Sequence, residues 1–303
     1  MIYPERQPAM TKQKILFIIN PSSGSSLKIK GLIAKHILDT IDRSKYLPEI
    51  HHSSGADNIT EICTAAVESG IKTIVIAGGD GSVNLVARNL IGTDTALGII
   101  PAGSGNGLAR HLKIPVDVKK AVKIINRSKT QLIDSVNIND RVFFSIAGVG
   151  FDALVAREYA RLGMRGFLSY FKVVTTRYLS YKPQTYELKI DGVSLARKAL
   201  FVVFANSNQF GYNAIISPQA KPDDGLVDVC ITPKIFLLKT PLLALKMFGN
   251  TIDKSAYVEI IKARHVEVKR HKDTWINLDG ESLELTKDLI IKVNPASLRV
   301  IVP

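Results

Sequence analysis

Residues 72–79, KTIVIAGG, and 96–103, ALGIIPAG, are apolar runs without polar–apolar alternation, and each stops at glycine before a segment of helical periodicity. Continuous apolar strands are covered on both faces, and strands separated by helices pair in parallel. The same texture starts at KILFIIN (14–20) and continues to about residue 130. Between the strands, Ile29, Leu32, Ile33, Ile37, Leu38 and Ile41 fall on one helical face. NITEICTAAVESG reads as a helix closed by Gly70, and LPEIHHS as a weak strand. A parallel sheet between two helical layers follows, with ligands expected at the carboxyl ends of its strands.

Beyond residue 128 the period changes. KTQLIDSVNIND and RVFFSIAGVG read as a hairpin across a polar turn. TYELKIDG, VSLARKALFVVFANS, GLVDVCITP, YVEIIKARHVEVKR, TWINLDGESLELT and LIIKVNPASLRVIVP then alternate with period two, as in an antiparallel β-sandwich or barrel. Helical insertions interrupt them at about 152–180 and 235–250. The expected class is α/β + β, with an α/β unit over 11–132 and a β unit over 133–293.

AGGDGSVN (77–84) lies where a strand hands over to a helix. Gly78, Gly79 and Gly81 permit close backbone approach. Ser82 is placed to cap the helix, whose free N–H groups and dipole favour an anion. Asp80 opposes that preference. A divalent cation between carboxylate and phosphate removes the conflict, because Mg²⁺ is commonly held by one or two carboxylates plus substrate phosphates. A Gly-Asp-Gly turn with Asp80 as the helix cap is the other reading.

IIPAGSGNGLARHL (99–112) repeats the arrangement, with Gly103, Gly105 and Gly107 around Ser104 and Asn106. Two such loops on consecutive strands can line one crevice. NPSSG (20–24), opening with Asn20, makes a third, suited to a ribose or phosphate or to plain turn chemistry. No G-x-x-x-x-G-K-[ST] occurs, which excludes a P-loop. GVGFDA (148–153) matches a dinucleotide fingerprint but lies outside the α/β half, so it reads as a tight strand-to-helix turn.

NLDGE (277–281) sets Asp279 and Glu281 two residues apart. A carboxylate beside a substrate hydroxyl can accept its proton during phosphoryl transfer; an Asp-Gly hairpin turn is the alternative. Asp223 and Asp224 in KPDDGL (221–226) read equally as a turn or as part of a cation site.

The formal charge is +13, with Lys and Arg scattered rather than blocked. It calls for an anionic partner, and without a nucleic-acid motif a bilayer surface or a nucleotide fits better than DNA. Cys63 and Cys230 show no metal or disulfide spacing, which fits a reducing compartment. MIYPERQPAMTKQK lacks a signal-peptide core, and Met10 is an alternative start. IFLLKTPLLALKMFG (235–249) is interrupted by Lys239, Pro241 and Lys246 and falls short of a bilayer span. A cytoplasmic, peripherally membrane-associated protein is expected.

NPSSG, GGDGSVN, PAGSGN, AGVGFDA, FANSNQFGYNAIISPQAKPDDGLVDV and NLDGE, in that order from about residue 14 to the end, resemble the diacylglycerol kinase catalytic family in its bacterial soluble lipid kinase branch and the related sphingosine kinases. GGDG alone is shared with NAD kinases; the ordered set is far more specific. The resemblance implies a phosphofructokinase-like α/β domain, to which 294–303 returns, and a C-terminal β domain, with ATP and a lipid meeting between them. It implies ATP contacts at Asn20, Gly78, Gly79, Asp80, Gly81, Ser82, Val83, Asn84, Gly103, Ser104 and Asn106. Asp80 would serve a catalytic Mg²⁺, and Glu281 would accept the proton with Asp279 beside it. A structural Mg²⁺ would sit on the Asp224 carboxylate and the main-chain carbonyls of Lys221 and Leu226. Lys172 matches a functional lysine of the inserted helix.

Relatives carry a basic residue where this chain has Ser25, with Lys28 and Lys30 nearby. His51, His52 or Ser53 stands where they carry a nucleotide-contacting threonine. The insertion over 157–182 mixes Arg and Lys with Tyr, Phe, Leu and Met, which fits docking on an anionic membrane surface or a solvated helix over the β core. A homodimer stays open. An NAD kinase-like enzyme and a non-catalytic nucleotide or lipid sensor are the alternative readings.

Overall fold

The computed structural model describes residues 12–21, 27–162 and 166–303, the side chains of 27–30 excepted. Ser25, the tail of NPSSG and the side chains of Lys28 and Lys30 therefore lie outside the described residues. Strands β1 (Gln13–Ile19), β2 (Tyr46–His52), β3 (Thr73–Gly78) and β4 (Ala96–Pro101) pair in parallel in the order β2-β1-β3-β4. Helices α1 (Leu27–Thr40), α2 (Ala56–Glu68), α3 (Asp80–Leu90), α4 (Gly107–His111) and α5 (Val118–Arg127) connect and cover them. Every residue of β3 and β4 is buried, as unalternating apolar strands require. The buried stripe of α1 is narrower than its sequence pattern. Ile33 and Ile37 of α1, and Ile41 just beyond its end, are buried, whereas Leu32 and Leu38 sit off that line and are exposed.

The second part contains β5 (Thr130–Ile138), β6 (Arg141–Phe143) and β7 (Ile146–Gly150), then α6 (Phe151–Arg161) and α7 (Phe167–Tyr178). It continues through β8 (Gln184–Ile190), β9 (Val193–Ala199), β10 (Phe201–Ala205) and β11 (Val227–Thr232) to α8 (Thr240–Phe248). The strands β12 (Glu259–Ala263), β13 (His265–Lys269), β14 (Thr274–Leu278), β15 (Glu281–Leu285) and β16 (Asp288–Ile301) complete it. One sheet runs β12-β11-β10-β7-β14-β15 and is antiparallel throughout. Its inner residues, among them Val149, Phe204, Val229 and Ile276, share a core with Tyr186, Leu188, Val266 and Ile291 of the facing sheet. The expected α/β + β class is observed.

Strand β16 ties the two parts together. It pairs antiparallel with β13 and β5, and Val300 lies beside Leu97 of β4 in parallel register. Its register shifts between Asn294 and Leu298, where Ala296 takes φ 48 and donates its N–H to Asp134 Oδ1 at 2.8 Å. A ten-stranded sheet thus passes from the α/β layers into the sandwich, and Gly81 and Gly107 come against Glu281 and Ser145 of the second part.

Candidate active site

Helix α3 begins at Asp80, with Gly79 at its N-cap and no side-chain cap. Ser82 is therefore inside the first turn rather than the cap, buried, with its Oγ accepting from Asn20 Nδ2 at 2.6 Å. The Asp80 carboxylate reaches across to the second glycine loop. Its Oδ2 accepts the Asn106 N–H at 2.8 Å and its Oδ1 the Gly107 N–H at 2.7 Å. Asn106, at φ 52, braces that loop from within: its Oδ1 accepts the Gly103 N–H at 2.9 Å and its Nδ2 donates to the Gly103 carbonyl at 2.8 Å. Gly103 lies so close to Gly79 that a β-carbon would overlap the Gly79 Cα. The two loops form one rigid unit pinned by Asp80. Burial, and then the charge of Asp279, push the Asp80 carboxyl up to about 6, against the pull of the two N–H bonds.

Asp279 and Gly280, at φ 47 and 88, form the tight turn between β14 and β15. Positive φ at both central positions is the type I′ geometry that Asp-Gly supplies. The turn also places its carboxylates on the crevice. Asp279 is buried and accepts the N–H groups of Phe144, Ser145 and Ile146 at 2.9, 2.8 and 3.0 Å. It also takes Asn84 Nδ2 at 2.8 Å. Its carboxyl is raised by burial, with these four bonds opposing. Glu281 projects from the start of β15 over Gly81, where a β-carbon would overlap its Oε1. Its carboxylate makes no hydrogen bond or ion pair among the described residues; burial first, and then Asp279, raise it, while Arg88 lowers it.

Between the two parts runs a cavity of about 1340 Å³. At one end it is lined by Asn20, Gly79–Ser82, Gly103–Gly105 and Glu281, and at the other by apolar side chains of α6, α7 and α8, including Phe171, Val174, Leu243 and Met247. Four carboxylates line it, those of Asp80, Asp152, Asp279 and Glu281, and no Lys or Arg among the described residues does. Asp152 sits deep inside, against Gly148, with Asn277 Nδ2 donating to it at 2.9 Å. Burial raises its carboxyl to about 6. The neighbouring Tyr170 hydroxyl is raised by burial and then by Asp152.

Gly78, Val83, Asn84, Asn106 and Lys172 do not line the crevice themselves. Gly78 ends β3 opposite Pro101, and Val83 packs in the α/β core. Asn84 joins α3 to the β part through the Val142 carbonyl at 2.9 Å and through Asp279. The side chain of Asn106 is spent within its own loop. His51 and His52 are exposed, and Ser53 is buried with its N–H on the Ile19 carbonyl. Lys172 is exposed on α7. Lys221, Asp224 and Leu226 belong to a separate loop. There Asp224 Oδ1 accepts the Leu226 N–H at 3.1 Å, and Oδ2 faces Lys262 Nζ at 3.2 Å. Lys262, also 2.9 Å from Asp228, supplies a positive charge to that loop. The described residues hold no cluster of three or more His, Cys, Asp or Glu suited to a metal, and no helix among them is long and apolar enough to cross a membrane.

Sequence reasoning missed Asp152, Tyr159, Tyr170 and Tyr212 as lining residues. The aspartate inside GVGFDA and the FGYN that follows β10 were the available signals.

Residues 14–138 match the diacylglycerol kinase catalytic domain, and residues 145–302 the YegS C-terminal NAD kinase beta sandwich-like domain. Over 307 residues the chain is 29% identical to a diacylglycerol kinase of Mycobacterium tuberculosis, spanning 96% of this chain and 95% of that one. It is 27% identical over 277 residues to a diacylglycerol kinase of Bacillus subtilis, with 90% of each covered. A YegS-like probable lipid kinase of Pseudomonas aeruginosa is 27% identical over 302 residues, covering 97% of this chain and 96% of its own. The crystal structure of a diacylglycerol kinase from Bacillus anthracis superposes with a TM-score of 0.71 at 18% identity, covering 96% of this chain and 97% of that one. That last likeness is one of fold.

Proposed function

Because the chain belongs to the diacylglycerol kinase catalytic-domain family, phosphotransferases of the lipid kinase class, we propose that it transfers the γ-phosphoryl group of ATP to the hydroxyl of a diacylglycerol-like lipid at an anionic membrane surface. The observation that carries this reading is the continuity of one crevice, backbone-lined and polar at the glycine loops and apolar between α6, α7 and α8, with Glu281 on the loop side. The α/β part, 11–132 with 294–303, would take the nucleotide, and 133–293 the lipid. The lipid hydroxyl oxygen forms the new bond to the γ-phosphorus, the β–γ bridging bond breaks, and Glu281 receives the hydroxyl proton. Its carboxyl, raised by burial and then by Asp279, holds a proton more tightly than a free glutamate does, as an acceptor requires. The N–H groups of the glycine loops hold the phosphates, and Asp80 and Asp279 keep the loops and Glu281 in place.

Four carboxylates without a lining cation would repel a triphosphate. The donor set therefore fits Mg²⁺ arriving with ATP and held by phosphate oxygens plus Asp80, since each Asp80 oxygen retains a lone pair beyond its N–H bond. Bound there, Mg²⁺ would offset charge on the transferring group. An NAD kinase activity is the second reading, favoured by the character of the C-terminal match and disfavoured by the apolar half of the crevice.

Incubation with γ-labelled ATP and a panel of diacylglycerol, phosphatidylglycerol, sphingosine, ceramide and NAD⁺ tests the proposal. Label on a lipid, lost when EDTA is added, supports it. Label on NAD⁺ alone, or on nothing, counts against it.

A further inference from the structure

Helix α8 covers nine residues, TPLLALKMF, and buries none of them. A helix this short does not hold itself together in water by propensity; Leu243 and Met247 rest one side of it on a core that includes Val203, Ile216 and Ile252, and its other apolar side is left bare. The turn before it leaves Phe236 and Leu238 exposed, the latter by 80%, and α8 adds Leu242 and Leu245. On α7, Leu168 is 81% exposed, with Phe171 beside it. Contiguous apolar surface of this extent marks an interaction site.

The two helices run antiparallel and meet at both ends. Phe167 stands edge-to-face on Phe248 with ring centroids 6.0 Å apart, and the Tyr178 hydroxyl donates to the Ile235 carbonyl at 2.7 Å. Between those contacts both helices line the crevice, with Val174 and Thr175 on one side and Pro241 and Ala244 on the other. They frame a slot into the apolar cavity, and their exposed leucines form its outer lips.

We infer that these lips are the bilayer-docking face, α8 and its preceding turn entering the acyl region beside α7, so that the lipid passes through the slot without crossing water. The partner is a phospholipid bilayer bearing anionic headgroups. Residues 166–182 and 233–250 carry six Lys and Arg and not one Asp or Glu. Arg177 pairs with Glu158; Lys172, Lys182, Lys234, Lys239 and Lys246 form no ion pair among the described residues. Leucines within a ring of lysines match an interfacial helix on anionic lipid. A second copy would bring like charge to like charge, which disfavours self-association. The inference rests on the lipid kinase reading for its purpose but not for its readout.

The test is co-sedimentation of the full chain with phosphatidylcholine vesicles, with and without phosphatidylglycerol, for the wild type and for Leu238→Glu with Leu242→Glu. Neither leucine lines the crevice. The wild type is expected to bind anionic vesicles, less tightly as salt rises. The double variant should lose about tenfold or more of that binding, keep its Tm, and keep turnover on a monodisperse short-chain diacylglycerol while losing it on vesicle-borne substrate. Wild-type vesicle binding that phosphorylates no lipid but depends on Leu238 and Leu242 still supports the docking face, and the kinase reading alone falls. Equal sedimentation of variant and wild type overturns the inference. So does a wild type that ignores anionic vesicles, or a dimer in ultracentrifugation that the double variant breaks.

Discussion

The Glu281 carboxylate rests on the Cα of Gly81, two hundred residues earlier in the chain, with no room for a β-carbon between them. Gly81 lies in the first turn of α3 with ordinary helical backbone, so its glycine character answers to Glu281 and not to a conformational demand.

Gly81→Ala separates site geometry from stability. Alanine is a better helix former by about 1 kcal/mol, so the variant should melt no lower than the wild type. Displacing Glu281 should nonetheless lower kcat about a hundredfold. Thermal melts together with steady-state kinetics check this; wild-type kcat would remove Glu281 from the chemistry.

Asp279 takes four donors in a buried site, and Asp279→Asn keeps the turn because asparagine tolerates positive φ. Its NH₂ would face an N–H group, costing about 3 kcal/mol. The expected result is a lower urea midpoint together with lost activity. A midpoint within error of the wild type would show that the bonds to Phe144, Ser145 and Ile146 contribute little.

Asp152 gives a pH signature. Its folded carboxyl, raised to about 6 from 3.8, holds its proton more tightly than the unfolded chain does. This contribution to stability is present in acid, falls as pH rises between those values, and stays lost above them. Asp152→Asn removes the buried charge while still accepting from Asn277. Relative to the wild type it should gain stability of about 3 kcal/mol at pH 8 and little at pH 4. Urea titrations at both pH values measure the difference, and an equal effect at both would contradict the assignment.

Much of this was legible in the sequence. The unalternating runs of β3 and β4 and the period-two segments after residue 128 marked the two textures, since burial on both faces or one face leaves different periods. Gly79, Gly103 and Asp80 stand out as candidates from glycine-rich loops that end two consecutive apolar strands, and Glu281 from the carboxylate pair of NLDGE. The partners were not legible. That Asp80 bonds to Asn106 and Gly107, or that Asn84 serves Asp279, depends on how loops far apart in the chain are brought together, which no local pattern encodes. Ser82 is not the cap because α3 starts three residues earlier than its hydroxyl suggests, with Gly79 at the N-cap. GVGFDA displays the Asp152 carboxylate, but its burial against Gly148 and its bond from Asn277 depend on β14, far along the chain.

The central claim is that Glu281 takes the proton from a lipid hydroxyl in the crevice that also holds ATP. Its most direct test is single-turnover transfer of labelled phosphoryl from ATP to diacylglycerol by the wild type and by Glu281→Gln, with nucleotide binding measured separately. The account predicts transfer about a hundredfold to ten-thousandfold slower in the variant with ATP affinity unchanged. Transfer at the wild-type rate in Glu281→Gln would contradict it.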